Sequence, residues 1–175
     1  MRLTIYTDYT LRVMMFLAVK HLSGELSRID EIADAYAISR SHLTKIVQEL
    51  GHSGMVETLR GRAGGMRLTR SPRQISIGEI VRLAEKDFAV VACHASDAAG
   101  VCAIQPACNL NRALKRATDA FLHELDRTTL EEAVTTPDAA AALLGIDTGA
   151  GTGLVSVARS RGSAGRAARQ AGPRS

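Results

Sequence analysis

Three short amphipathic helical patterns followed by a glycine-rich turn set among arginines fill the first 75 residues, and few folds accept that order. In 8–21, apolar residues recur at spacings of three and four (Leu11, Met14, Met15, Ala18, Leu22), which predicts a helix with Thr7 or Asp8 as its N-cap. A second helix is expected over 28–36. It is opened by a capping box of Ser27 with Asp30 or Glu31, and it buries Ile29, Ile32, Ala33 and Tyr36. Ser39 caps a third helix, to about Leu50, with Leu43, Ile46, Val47 and Leu50 inward and Arg40, Ser41, His42, Thr44 and Lys45 outward. Residues 55–59 and 66–68 read as strands joined by a turn from Arg60 to Gly65, a β-hairpin. This is the plan of a winged helix-turn-helix. In such a fold the third helix fits the major groove and offers its N-terminal polar side chains to base edges. The hairpin carries arginines, here Arg60 and Arg62, to the minor groove or to phosphates. Each piece alone is more often a solvated helix face or an ordinary turn. Their order makes double-stranded DNA the expected partner.

The rest of the chain is also mostly helical in pattern. Ser76 and Glu79 form a capping box for a helix to about Lys86, with Ile77, Ile80, Val81 and Ala84 inward. From Pro106 a long helix sets Leu110, Leu114, Ala117, Phe121 and Leu125 on one stripe. Its outer residues can close the monomer core, but the stripe outruns what a small winged-helix body needs, so a homodimer on a palindromic site is expected. A last short helix is expected from Thr128. After Ile146 the composition turns to Gly, Ala, Ser and Arg without periodicity, which reads as a flexible tail. The expected fold is mostly α: a winged helix-turn-helix with a long C-terminal dimerisation helix and a flexible tail. It divides into a DNA-binding region (1–75), a cysteine-loop and dimerisation region (76–146) and the tail (147–175).

Charge and hydropathy narrow the function. The chain has 22 Lys and Arg against 18 Asp and Glu, a net charge of +4. Five arginines (159, 161, 166, 169, 174) and one acid, Asp147, lie in 146–175, leaving 17 of each sign in the body. Within the body, arginines 60, 62, 67, 70 and 73 form the one concentrated positive patch. The longest apolar run, 13–19, falls short of the roughly 18–20 residues of a membrane helix. Asp8 also stands where a signal peptide would be basic, so a cytoplasmic protein is expected, with no membrane partner. No nucleophile–base pair and no phosphate-cradling loop is legible, so an enzyme is not expected.

All three cysteines, Cys93, Cys102 and Cys108, fall within sixteen residues. An odd number so clustered is a poor disulfide framework and suits a metal or redox site in a reducing compartment. The gaps of eight and five exceed usual zinc-ligand spacing and suit an iron–sulfur cluster, with a fourth ligand from elsewhere or from a second chain. A zinc site, a thiol switch and three plain buried thiols remain alternatives. His94, beside Cys93, is the only histidine near this site.

Several stretches together resemble the bacterial iron–sulfur winged-helix repressors, and within them the nitric-oxide-sensing branch. They are the opening Met-Arg-Leu-Thr-x-x-Thr-Asp-Tyr-x-Leu-Arg, the third helix's Ile-Ser-Arg-Ser-His-Leu-x-Lys-Ile, the wing Leu-Arg-Gly-Arg-Ala-Gly-Gly-Met-Arg-Leu, and Gln-Pro-Ala-Cys-Asn-Leu around Cys108. The resemblance covers about 1–145. It implies a homodimer with one cluster per subunit, 2Fe–2S or 4Fe–4S, held by Cys93, Cys102 and Cys108. In that branch nitric oxide attacks the cluster, the operator is released, and nitrosative-stress genes are expressed. Asp8 matches an acid that in some members supplies the fourth ligand from the partner subunit; its other reading is the helix cap. A related branch that regulates cluster assembly has a His where this chain has Asn111. The eight-residue first gap is longer than the family's usual four or five.

Overall fold

The computed structural model describes residues 2–21, 23–61, 64–95, 102–104 and 107–146. Its helices are α1 (Ile5–His21), α2 (Ile29–Tyr36), α3 (Arg40–His52), α4 (Ile77–Ala84), α5 (Asn109–Arg127) and α6 (Pro137–Leu144). Between α3 and α4 lie the strands β1 (Val56–Leu59) and β2 (Gly65–Leu68). Single 3₁₀ turns stand at 72–74, 92–94 and 132–134.

α1 is the axis of the core. Val13, Met14, Phe16 and Leu17 are at most 2% exposed, because α2, α3, β2, α4 and α6 pack around it. The stripe expected from Leu11, Met14, Met15 and Ala18 is therefore too narrow; Leu11 and Met15 are only half-buried. The helix also starts earlier than expected. Thr4 is its cap, its Oγ1 accepting the Thr7 N–H at 3.3 Å. Asp8 is not a cap; it lies inside α1 and pairs with Arg12 at 2.9 Å.

α2 opens at Arg28, whose N–H donates to Glu31 at 2.9 Å. Ser27 is taken instead by the wing. It exchanges backbone hydrogen bonds with Met66 at 2.9 and 2.7 Å, so the chain before α2 pairs with β2. Only glycine fits at 65, since a Cβ there would stand 2.8 Å from Leu26 Cβ and from the Ser27 carbonyl oxygen. β1 and β2 pair antiparallel, Val56 opposite Leu68 and Leu59 opposite Gly65. In α3 the four expected inward residues are all buried.

α4 starts as expected, Ser76 Oγ accepting the Glu79 N–H at 3.0 Å. It stops at Ala84, two residues early, because Glu85 adopts an extended backbone. α5 begins at Asn109 rather than Pro106 and has no fully buried residue; Leu110 is 64% exposed. The helix expected at Thr128 is a single 3₁₀ turn, stabilised by hydrogen bonds between Thr129 and Glu132. α6 was not anticipated. Pro137 begins it, and Gly145 ends it with a left-handed φ of 67°, laying Ala141 and Ile146 on the core. The expected flexible tail, 147–175, lies outside the described residues.

Candidate functional site

The candidate DNA-reading surface is built on α3. Burying Leu43, Ile46, Val47 and Leu50 turns Arg40, Ser41, His42, Thr44 and Lys45 to solvent, and all five are exposed. Some are already engaged. Arg40 pairs with Asp30 at 2.6 Å, Thr44 Oγ1 donates to the Arg40 carbonyl at 2.8 Å, and His42 Nδ1 lies 3.0 Å from Ser39 Oγ. Lys45 makes no ion pair among the described residues.

The wing's positive patch is smaller than the sequence suggested. Arg67 pairs with Glu57 across the hairpin, Arg70 with Glu79 at 2.6 Å and Arg73 with Glu131 at 2.7 Å. Arg60 is exposed at the end of β1 and without an ion pair among the described residues. Arg62 lies outside the described residues.

The second site gathers at the start of α5. All three thiols are free and half-buried. Cys93 sits in the 3₁₀ turn 92–94, and Cys108 is the residue that caps α5. Asn111 ties them together. Its backbone N–H donates to Cys108 Sγ at 3.4 Å, and its side-chain amide donates to Cys93 Sγ at 3.3 Å. Sequence reading noted Asn111 only as a missing histidine. Cys102 is described, but most of the loop around it is not. Among the described residues, no group of three His, Cys, Asp or Glu side chains is assembled for a metal ion. Asp8 stands on the first turns of α1 with its side chain half exposed and bound to Arg12. His94 turns to a cleft of about 400 Å³ lined by Asp87, Phe88, Lys115, Asp119 and Leu122, and its Nε2 is buried without a partner among the described residues.

Sequence reading also missed what joins the two sites. Glu85, at the end of α4 where the cysteine loop departs, is 9% exposed. Its carboxylate accepts from the Thr4 N–H at 2.8 Å, Thr4 Oγ1 at 3.1 Å and Thr7 Oγ1 at 2.7 Å. Burial pushes this carboxyl up, but those hydrogen bonds outweigh it and hold it below the ordinary 4.5. One residue along α1 from Thr7, Tyr6 donates to Glu49 of α3. Burial first, then the Glu49 carboxylate, keeps the Tyr6 hydroxyl protonated far above its usual value.

A carboxyl depressed in the folded state stabilises fully above its ordinary value, and that stabilisation is lost as pH falls through the folded value. Glu85→Ala is expected to cost about 1–3 kcal/mol at neutral pH, since it removes the acceptor of the buried Thr7 hydroxyl and of the Thr4 N–H that starts α1. Urea unfolding at pH 7 and again below pH 4 should show the gap from wild type closing in acid. A gap of the same size at both would remove Glu85 from this role.

A three-helix core with a two-stranded wing and a polar, exposed recognition helix defines a winged helix-turn-helix DNA-binding protein. The Rrf2 family, described as iron-dependent transcriptional regulators, matches residues 3–136. The HTH-type transcriptional regulator NsrR of Bacillus licheniformis is 47% identical over 138 residues, covering 79% of this chain and 95% of the relative. NsrR of Bacillus subtilis is 48% identical over 134 residues, covering 77% and 90%. The chain belongs to the Rrf2 family, as a transcriptional repressor of the NsrR type. Among solved structures, CymR, the global cysteine regulator of B. subtilis, superposes with a TM-score of 0.64 at 28% identity, covering 77% of this chain and 97% of that one. T. potens IscR shares the fold, with a TM-score of 0.61 at 23% identity over 80% and 90%. Among the described residues, no helix is long and apolar enough to cross a membrane.

Proposed function

We propose that the protein is a nitric-oxide-sensing repressor that binds its operator as a homodimer and holds one iron–sulfur cluster per subunit. The observation that carries the cluster is the convergence of Cys93 and Cys108, from a loop and a helix cap, on Asn111, through its side-chain amide and its backbone N–H respectively. Thiolates are the donors such clusters take, so this donor set fits the group. Cys93, Cys102 and Cys108 would hold it, with Asp8 of a second subunit as the fourth ligand. When bound, the cluster would supply iron able to react with nitric oxide.

The chain's own residues give that event a route to DNA. The cysteine loop leaves α4 directly after Glu85. Glu85 fixes the first turn of α1 through Thr4 and Thr7, and Tyr6 in that turn reaches Glu49 on α3. Glu85, with its bonds to Thr4 and Thr7, and Tyr6, with its bond to Glu49, would carry any displacement of the loop to α1 and α3. On DNA, Lys45 and the N-terminal polar residues of α3 meet the major groove, and Arg60 with Arg62 flank it. The division of labour is 1–75 for reading DNA and 76–146 for holding the cluster and pairing subunits. The apolar stripe of α5, exposed at Leu110 and half-buried at Leu114, Phe121 and Leu125, would be the pairing surface. Family membership and a soluble fold suit a cytoplasmic, non-enzymatic regulator.

The test is an anaerobic visible spectrum with iron and sulfide analysis, repeated after adding nitric oxide, beside gel-shift of a duplex from the protein's own promoter. A visible band that bleaches, with loss of the shift, is expected. A colourless protein, purified without oxygen and supplied with iron and sulfide, would overturn the cluster and leave a zinc- or thiol-dependent regulator.

A further inference from the structure

Spacings of four, three and four put Ser41, Lys45, Gln48 and His52 on the side of α3 away from Leu43, Ile46 and Leu50, and all four are exposed. From Lys45 onward this stripe is one wall of a cavity of about 610 Å³. Thr4 and Tyr6 at the start of α1, and Lys86 just past α4, also line it. The two acids in the lining are already engaged. Glu49 accepts from the Tyr6 hydroxyl, and Glu85 accepts from the Thr4 N–H at 2.8 Å and from Thr7 Oγ1 at 2.7 Å. Asp87, next to Lys86 in the chain, turns to its own loop and accepts the Ala89 N–H at 2.7 Å. Lys45, Gln48, His52 and Lys86 have no hydrogen-bond or ion-pair partner among the described residues. The cavity thus combines acids that are taken with donors that are not.

We infer that this cavity is a phosphate cleft, which seats one sugar–phosphate strand of the bound duplex between α3 and Lys86. This rests on α3 being the DNA-reading helix of the proposed repressor. Such a helix enters the major groove by its N-terminus, so residues further along its outward stripe come to the groove's edge, where the strand backbones run. A phosphodiester is a negative charge with acceptor oxygens, and two unpaired ammonium groups beside the Gln48 amide are its complement. The wing region leaves this charge to be met elsewhere, because Arg67, Arg70 and Arg73 are held by glutamates. Lys86 also follows Glu85 directly, in the segment that leads to Cys93. A phosphate held by Lys86 puts the cysteine loop itself in contact with DNA, in addition to the route through Glu85 and Tyr6. Each phosphate neutralised steepens the salt dependence of binding by about 0.9 in log–log slope.

The test compares the full chain, purified without oxygen, with K86Q, K86R, K45Q and K115Q. Each is titrated by fluorescence anisotropy onto a random duplex of roughly 30 base pairs across a series of potassium chloride concentrations. K86Q should lose about 0.9 of slope for each bound subunit and roughly three- to tenfold in affinity near 0.1 M salt, and K86R should keep both. K115Q removes the same charge from α5, where Lys115 pairs with Asp119 at 3.5 Å, and should leave the slope unchanged. The loss in K86Q should be equal on a duplex from the protein's own promoter, because a phosphate contact is blind to sequence. Equal slopes for wild type and K86Q would overturn the cleft. A slope lowered in K45Q but not in K86Q would do so while leaving α3 as the reading helix. Inorganic phosphate, set against chloride at equal ionic strength, tests the other source of the same group. A melting temperature that it raises in wild type and not in K86Q, with equal slopes, would give the cavity to a small phosphorylated ligand and overturn the duplex. Circular dichroism checks that all five proteins are equally helical.

Discussion

Cys108→Ala should yield a folded protein whose bound iron falls at least tenfold, with no response of operator binding to nitric oxide. The thiol's role as a cap and its proposed role as a ligand separate cleanly. As the cap of α5 it accepts one backbone N–H, from Asn111 at 3.4 Å, and losing a cap costs about 0.5–2 kcal/mol, with this long sulfur contact at the low end. The core does not depend on it, because Cys108 is outside the buried cluster around α1. As the cluster ligand proposed above it would have no substitute, since Ala offers no donor. Asn111→Ala separates the roles further. It removes the amide bond to Cys93 and keeps every thiol, so iron should be retained in part and lost faster to a chelator. Iron and sulfide analysis with circular dichroism reads both. Full iron in Cys108→Ala would remove this cysteine from the ligand set. Cys93→Ser repeats the test at a residue that caps no helix of the core.

The parts legible in the sequence are those whose causes are local. α3 lies on one core with one face, so its periodicity marks Leu43, Ile46, Val47 and Leu50 correctly. α1 is wrapped on several sides, which erases the contrast between faces, and Val13, Phe16 and Leu17 went unmarked. α6 is an alanine run without periodicity; only Pro137 and Gly145 betray its ends. At the candidate site, the cysteines and the outward face of α3 could be marked from residue type and spacing. What connects them could not. Glu85 meets its partners 78 and 81 residues away, and Arg73 meets Glu131 across 58. Asn111 matters because folding brings Cys93 to it from 18 residues back.

Gly78→Ala should destabilise the protein, although helix propensity predicts the reverse. Gly78 lies in the first turn of α4, where Ala is favoured over Gly by up to about 1 kcal/mol. Yet a Cβ there would stand 2.8 Å from the backbone nitrogen of Asp126 on α5 and run into that residue's carboxylate. A side chain can turn away, but a backbone cannot. The carboxylate is also held by Arg82, whose Nη2 donates to Oδ2 at 2.7 Å. Relief must come from separating α4 and α5. The neighbouring backbone bonds, Ile77 N–H to Thr128 and Leu130 N–H to Ile75, both 2.8 Å, resist that movement. Overpacking of this kind costs about 1–3 kcal/mol, which outweighs the propensity gain. At about 2–4 °C per kcal/mol, thermal unfolding should fall by roughly 2–12 °C. The same shift has a second readout. α5 is 19 residues long, and Asp126 and Asn111 stand near its opposite ends. A tilt forced at Asp126 is carried about 20 Å along a rigid helix to Asn111, whose backbone N–H meets Cys108 and whose side-chain amide meets Cys93. Gly78→Ala should therefore also lose iron faster to a chelator than wild type at a temperature where both are folded. A melting temperature equal to or above that of wild type would show that α4 and α5 can part at no cost, and that Gly78 does not set their spacing.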